Sequence, residues 1–201
     1  MKMSEFFSAW LAGLLIGLSV FVRLMQPNEF GIILFSMGMT AILILNLDLF
    51  TGKIGYIFKD NRSIKYYLGI FLSNWIGALS AYAVAANPII KDKIFIQAAL
   101  IAENRPDNII TIFFSSIMCG ILVYIAVYCY KKTKSILSIM LPIVVLVGSG
   151  FHHVVAEMFY LSLIMSNFFK YCFMLLVIGL GNSIGSMITS IIVQGKEKRG
   201  V

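Results

Sequence analysis

Gly150-Phe151-His152-His153-Val154-Val155-Ala156-Glu157-Met158-Phe159 puts two imidazoles and a carboxylate midway along an apolar stretch that runs from residue 136 to residue 165. An acidic side chain at membrane depth costs roughly 2.5 to 3.5 kcal/mol on insertion scales, so ionisable groups there are rare unless they serve a purpose. If the stretch lies in a bilayer, this decapeptide is where the chemistry is expected, and the rest of the chain is what holds it.

The surrounding composition says that it does lie in a bilayer. Hydrophobic residues make up 60% of the chain and the mean hydropathy is +0.92, against roughly 45 to 50% apolar for soluble domains. Several runs approach or exceed 18 residues with almost no charge, the signature of transmembrane helices. The 201 residues hold about six spans of about 20 residues each, which predicts a single transmembrane domain over 1–201. The net charge of +7 sits in short loops beside span ends, a pattern that sets topology and meets lipid headgroups rather than nucleic acid. Cys119, Cys129 and Cys172 stand alone in apolar runs and read as small core residues.

In chain order, the first span is expected at 6–22, with Gly13 and Gly17 spaced for close helix packing. No small-residue cleavage site precedes Arg23, so this stretch reads as a span and not a leader. The second, at 30–58, is too long for one straight crossing and is interrupted by Asn46-Leu47-Asp48-Leu49-Phe50-Thr51-Gly52-Lys53. Non-helical backbone at membrane depth is tolerated only inside protein or beside a wet cavity. The alternative is a helix that ends at Asp48 and Gly52 and continues along the interface. Span three is expected at 66–86, followed by a polar connection over 87–108. Span four is expected at 109–130, the interrupted span five at 136–165 and span six at 168–194. With six spans both termini share a side, which would carry eleven Lys and Arg residues against five opposite, placing the termini in the cytoplasm.

A weak internal repeat runs through this pattern. Asn74-x-Ile76-Gly77 is matched by Asn182-x-Ile184-Gly185, and Gly13-Leu14-Leu15-Ile16 by Gly120-Ile121-Leu122-Val123. The interrupted spans are the middle members of two triplets, about 1–90 and 105–195. Three spans per copy make the repeat inverted, with a site expected near the midplane between the broken helices.

These residues resemble the formate/nitrite transporter family of pentameric anion channels, whose members also conduct hydrosulfide or lactate. The family's fifth span reads close to G-F-E-H-S-V-A-N-M-F, here Gly150 to Phe159. Its second-span loop reads E-L-F-T-G, here Asp48-Leu49-Phe50-Thr51-Gly52, and its sixth span G-N-I-I-G-G, here Gly181-Asn182-Ser183-Ile184-Gly185-Ser186. Pro142 also fits the pattern. The resemblance implies an aquaporin-like, all-helical fold of six spans with one pore in each of five protomers. It implies His153 as the central pore histidine, Thr51 as its partner and Asn182 as a residue near the pore. Three departures bear on the substrate: His152 replaces the acidic residue before the histidine, Glu157 stands right after Ala156 in place of an asparagine, and Asn104, beside Arg105, occupies the place of a vestibule lysine.

A bare anion cannot enter an apolar constriction without hydrogen bonds, positive potential or a proton. Histidine, with an unperturbed pKa of about 6.5, suits either role. His153, oriented by Thr51, is therefore expected to donate a hydrogen bond or proton to a small monovalent anion, without any cofactor. Phe35, Leu49, Phe50 and Leu146 are gate candidates, for each of which simple packing competes. In an unbroken helix Glu157 lies one turn beyond His153 and would pair with it; otherwise it faces a protomer interface. His152 either lines the pore or packs. Two rivals remain: a channel for a neutral solute on the same fold, and a membrane metalloenzyme liganded by His152, His153 and Glu157. The second is disfavoured because adjacent histidines on a helix diverge and no H-E-x-x-H motif is present.

Overall fold

The computed structural model describes residues 1–103 and 108–197, and they are helical throughout, with no strand among them. α1 (Met3–Met25) leads through a turn capped by the Asn28 side chain, which accepts from Gly31 N at 3.1 Å, into α2 (Glu29–Ile44). A break separates α2 from the short α3 (Phe50–Ile54). α4 (Ile64–Ser80) runs on into α5 (Tyr82–Ala85). α6 (Lys91–Glu103) lies inside the 87–108 connection, where the sequence predicted only a polar link. α7 (Ile109–Thr133) starts at Asn108, which caps Ile110 N at 2.8 Å. α8 (Leu137–Gly148) and α9 (Val154–Ile164) flank the second break, and α10 (Phe168–Glu197) closes the described chain.

Four stretches are long and apolar enough to cross a membrane: Met3–Met25, Ile64–Ala85, Ile109–Thr133 and Phe168–Gly195. They coincide with expected spans one, three, four and six, the first extended by three residues at each end and the other bounds within three residues of those expected. The stretches expected as spans two and five are each divided between two shorter helices. Large apolar side chains on these helices, such as Phe7, Leu72, Phe114, Phe173 and Leu180, are exposed.

α1 packs on α4, and α7 on α10, at main-chain distance. Gly13 presses on the Asn74 backbone and Gly120 on the Asn182 backbone, where any Cβ would collide with a carbonyl. Gly77 meets the Trp10 main chain and Gly185 that of Ile117 in the same way. The small residues therefore bring Asn74 and Asn182 into the core, where both are fully buried.

The two breaks share one backbone device. α2 ends in a Schellman motif: Asn46 takes the left-handed conformation (φ 53°), Asn46 N bonds to Leu43 O at 3.3 Å and Leu47 N to Ile42 O at 2.9 Å. α8 ends likewise, with Gly150 at φ 68°, Gly150 N on Val147 O at 3.1 Å and Phe151 N on Leu146 O at 3.1 Å. Asparagine and glycine are the residues that tolerate this conformation. Beyond each motif the chain is extended for a few residues, at Leu49 (φ −94°, ψ 128°) and His153 (φ −100°, ψ 116°), and then becomes helical again. A buried asparagine ties each extended segment. Asn74 Nδ2 donates to Ala9 O (2.6 Å) and Asp48 O (3.0 Å) while its Oδ1 accepts from Phe50 N (2.8 Å). Asn182 Nδ2 donates to Ser116 O and His152 O while its Oδ1 accepts from Val154 N, all at 2.8 Å. Each asparagine thus satisfies one main-chain carbonyl and one main-chain N–H that its break leaves open.

Candidate functional site

The second break delivers His153 as the N-cap of α9. Its Nδ1 accepts from Ala156 N at 3.3 Å, and its Nε2 lies 2.8 Å from Thr51 Oγ1 on α3. A ring nitrogen that accepts a main-chain N–H carries no hydrogen, so in the neutral ring Nε2 bears it and donates to the threonine hydroxyl. Both side chains are buried. The structure thus brings together Thr51 and His153, residues far apart in the chain but each one step from a helix break.

Three voids are linked by shared lining residues, and His153 lines two of them. A cavity of about 370 Å³ opens on the side of Arg23 and α6 and is lined by Arg23, Phe35, Gln97, Leu146, His153 and Glu157, among others. Phe35, Leu146 and His153 also line a void of about 10 Å³ closed by Ile16, Met39, Val123 and Ile143. Such a space is at the lower limit for one water molecule, so this is an apolar pinch. Met39 in turn lines a mouth of about 30 Å³ on the far side, with Leu49, Gly52, Lys53 and Lys131. Residues shared between successive voids define an axis with His153 at its narrowest part. α6 roofs the larger cavity through Gln97, Leu100 and Ile101 and is pinned by Tyr160, whose hydroxyl donates to Ala98 O at 2.5 Å.

The predicted residues are distributed unevenly along this axis. Phe35 and Leu146 flank the pinch and Leu49 the mouth. Phe50 does not line any of these voids; it opens α3, and its ring stacks edge-on against Phe71 of α4 with centroids 5.1 Å apart. Asn182 is spent on main-chain groups, with both amide hydrogens donated, so it positions the break. Asn74, its counterpart, does the same for Thr51; the repeated Asn-x-Ile-Gly motif was the signal for both. Met39, Ile16, Val123 and Ile143 are apolar residues in apolar helices, and nothing in the sequence sets them apart.

Glu157 corrects both expectations made for it. α9 begins at Val154, so His153 precedes the helix and the one-turn spacing does not bring the two side chains together. Glu157 Oε1 instead meets His152 Nδ1 at 3.0 Å. Nor does it face outward: it is 2% exposed and forms part of the large cavity's wall. His152 is buried in this pair and is not among the described residues that line that cavity. The three proposed metal ligands are divided between separate partners, His153 with Thr51 and His152 with Glu157. Asn104 and Arg105 lie outside the described residues.

A multi-pass helical membrane protein with a buried hydroxyl–imidazole bond at the pinch between two opposed cavities is a channel or transporter protomer for a small solute. The chain belongs to the formate/nitrite transporter family, whose sequence model matches residues 2–194, and its function is the passage of small anions across a membrane. Two solved structures share its fold. One, a "Pentameric formate channel with formate bound", is 19% identical with a TM-score of 0.71 over 97% of this chain and 95% of that one. The other, an "FNT family ion channel", is 18% identical with a TM-score of 0.81 over 97% of this chain and 90% of that one. No curated protein matches the chain.

Proposed function

We propose that the protein passes formate, or a related small monovalent anion such as nitrite or hydrosulfide, along the axis through His153 in each protomer of a homopentamer. The observation that carries this is the Thr51–His153 bond at 2.8 Å beside an apolar pinch. An anion reaching the pinch has shed water, and the two donors left to meet it are Nε2–H of His153 and the hydroxyl of Thr51. An exchange of partners, with Nε2–H leaving Thr51 for the anion, supplies the lost hydrogen bond; transfer of a proton along the same line lets a weak acid cross as a neutral molecule. Phe35, Leu146 and Leu49 act as gates, and Asn182 and Asn74 hold the two breaks in register.

In this reading α2 with α3, and α8 with α9, each count as one crossing. That gives six spans and an aquaporin-like arrangement in which residues 105–195 repeat residues 1–90 upside down. The paired asparagine ties, the paired Schellman motifs and the small-residue contacts support the repeat. The charge asymmetry supports both termini in the cytoplasm and a place in the cell membrane. The pentamer rests on the likeness to a channel described as pentameric.

Passage of a neutral solute is the second reading, favoured by one observation: a carboxylate, Glu157, lines the cavity on the way to the pinch. Flux into proteoliposomes at pH 5.5 and 7.5 decides between them. Formate flux that rises at the lower pH and drops about 100-fold or more in His153→Ala, and about tenfold in Thr51→Val, is the expected result. Formate, nitrite and hydrosulfide all failing to cross, while a neutral solute does, overturns it.

A further inference from the structure

A second cavity, of about 420 Å³, lies beside the mouth and off the axis. It is walled by the turn after α3 (Tyr56, Lys59, Asp60), the end of α7 (Tyr124, Tyr128, Lys131, Lys132) and Gln194 of α10, and Lys53 reaches it from α3. Four lysines face one aspartate. Lys53 is engaged with Asp48 at 2.9 Å. Lys131 Nζ stands 3.9 Å above the Tyr56 ring, so its charge is held in place by an aromatic face and not cancelled by a carboxylate. Lys132 Nζ lies 4.9 Å from the centre of the Tyr128 ring. Tyr56 itself is 8% exposed, and its hydroxyl has no hydrogen-bond partner among the described residues. The hydroxyl of Tyr56 has Tyr124 beside it, itself a phenol, so a buried donor in this lysine-rich cavity still lacks a strong acceptor.

We infer that this cavity is a binding site for a phosphate group, carried by a soluble phosphorylated metabolite or by an anionic phospholipid headgroup, and that its occupant restrains transport. The cavity is far larger than a small monovalent anion needs and falls in the range of metabolite pockets. Lysine is a compact point charge that suits phosphate, and several converging lysines favour a dianion over a monoanion. Lys53 and Lys131 also line the mouth beneath Leu49, so an occupant draws on the cations that otherwise attract the transported anion. The restraint on transport rests on the reading of the axis given above; the binding does not.

The test uses the full chain in phosphatidylcholine nanodiscs, titrated calorimetrically with pyrophosphate, with formate at matched ionic strength as the control. A second arm uses bilayers containing phosphatidic acid and reads lipid retained after detergent extraction by mass spectrometry. The variants are Lys131→Gln/Lys132→Gln, whose side chains are exposed, and Tyr56→Phe, which keeps the ring under Lys131 and removes only the hydroxyl. Pyrophosphate binding that weakens about tenfold in the double variant and several-fold in Tyr56→Phe supports a soluble ligand. Retention of phosphatidic acid that both variants lose supports a lipid headgroup. Equal binding by the variants, an equal response to formate, or no binding in either arm overturns the site. Binding without any slowing of formate flux by pyrophosphate overturns the restraint alone. Pyrophosphate binding by a protein that moves no formate removes the transport reading and leaves the site standing.

Discussion

The two helix breaks are built alike and equipped differently. In each, a left-handed residue (Asn46, Gly150) ends one helix, an asparagine from a distant helix (Asn74, Asn182) holds the extended turn, and a new helix begins. At the position just before the new helix the first break carries Leu49 and the second His153. One position earlier stand Asp48 and His152, each paired with a side chain in the following helix: Asp48 with Lys53 at 2.9 Å, His152 with Glu157 at 3.0 Å. The acid precedes the base in one break and follows it in the other. The left-handed residues and the asparagine ties are common to both breaks, and the side chains on that frame diverge, one break supplying an apolar plug and a hydroxyl, the other an imidazole.

If the frame is truly shared, equivalent cuts cost the same in both halves. The largest effect is expected from Asn74→Ala and Asn182→Ala. Each removes three hydrogen bonds to buried main-chain groups, for about 4 kcal/mol. Thermal unfolding in detergent, read by loss of the monodisperse species, should fall by similar amounts in both. A loss confined to one variant means that one break is held by something other than its asparagine. Next come Gly13→Ala and Gly120→Ala, whose new methyl groups meet the Asn74 and Asn182 carbonyls. Overpacking against backbone costs about 2 kcal/mol, and the same measurement should again show matched losses. Unequal losses here would mean that one helix pair can slide apart where the other cannot.

How much of this was legible in the sequence follows from the same comparison. The apolar runs, the two interruptions and the recurring Asn-x-Ile-Gly are patterns of residue type, and they lie in the sequence in plain order. The partnership of Thr51 with His153 came from resemblance, because no local rule links residues on separate helices. What failed to show was geometry that turns on one residue. Starting α9 at Val154 in place of continuing the helix through His153 swings Glu157 from His153 to His152. Phe50 was a gate candidate with packing as its alternative, and the contact of its ring with Phe71 is of the packing kind. The 87–108 segment opens with Asn87-Pro88 and continues into Lys91-Asp92-Lys93, which reads as a loop; Ile94 and Ala98, the buried apolar residues of α6, are too few to announce a helix.

The paired acids give the finest test, because the shared frame puts them at matching positions in different surroundings. The Lys53 and Asp48 side chains are 29% and 13% exposed, those of His152 and Glu157 only 6% and 2%. A partly solvated ion pair contributes little, whereas breaking a buried imidazole–carboxylate contact leaves a polar group without its partner in the interior. Asp48→Asn should therefore change stability by no more than about 0.5 kcal/mol, and Glu157→Gln by about 2 kcal/mol, since the amide keeps the shape but not the charge. Flux separates them in the opposite sense. Glu157 lines the cavity that leads to the pinch, so removing its charge should raise formate flux by a few-fold despite the lost stability. Asp48 partners a lysine of the mouth, and its neutralisation frees Lys53 and should raise flux less. If instead both variants lose stability equally and flux is unmoved, the two pairs are merely repeated structural struts, and the divergence between the breaks reduces to Leu49 against His153.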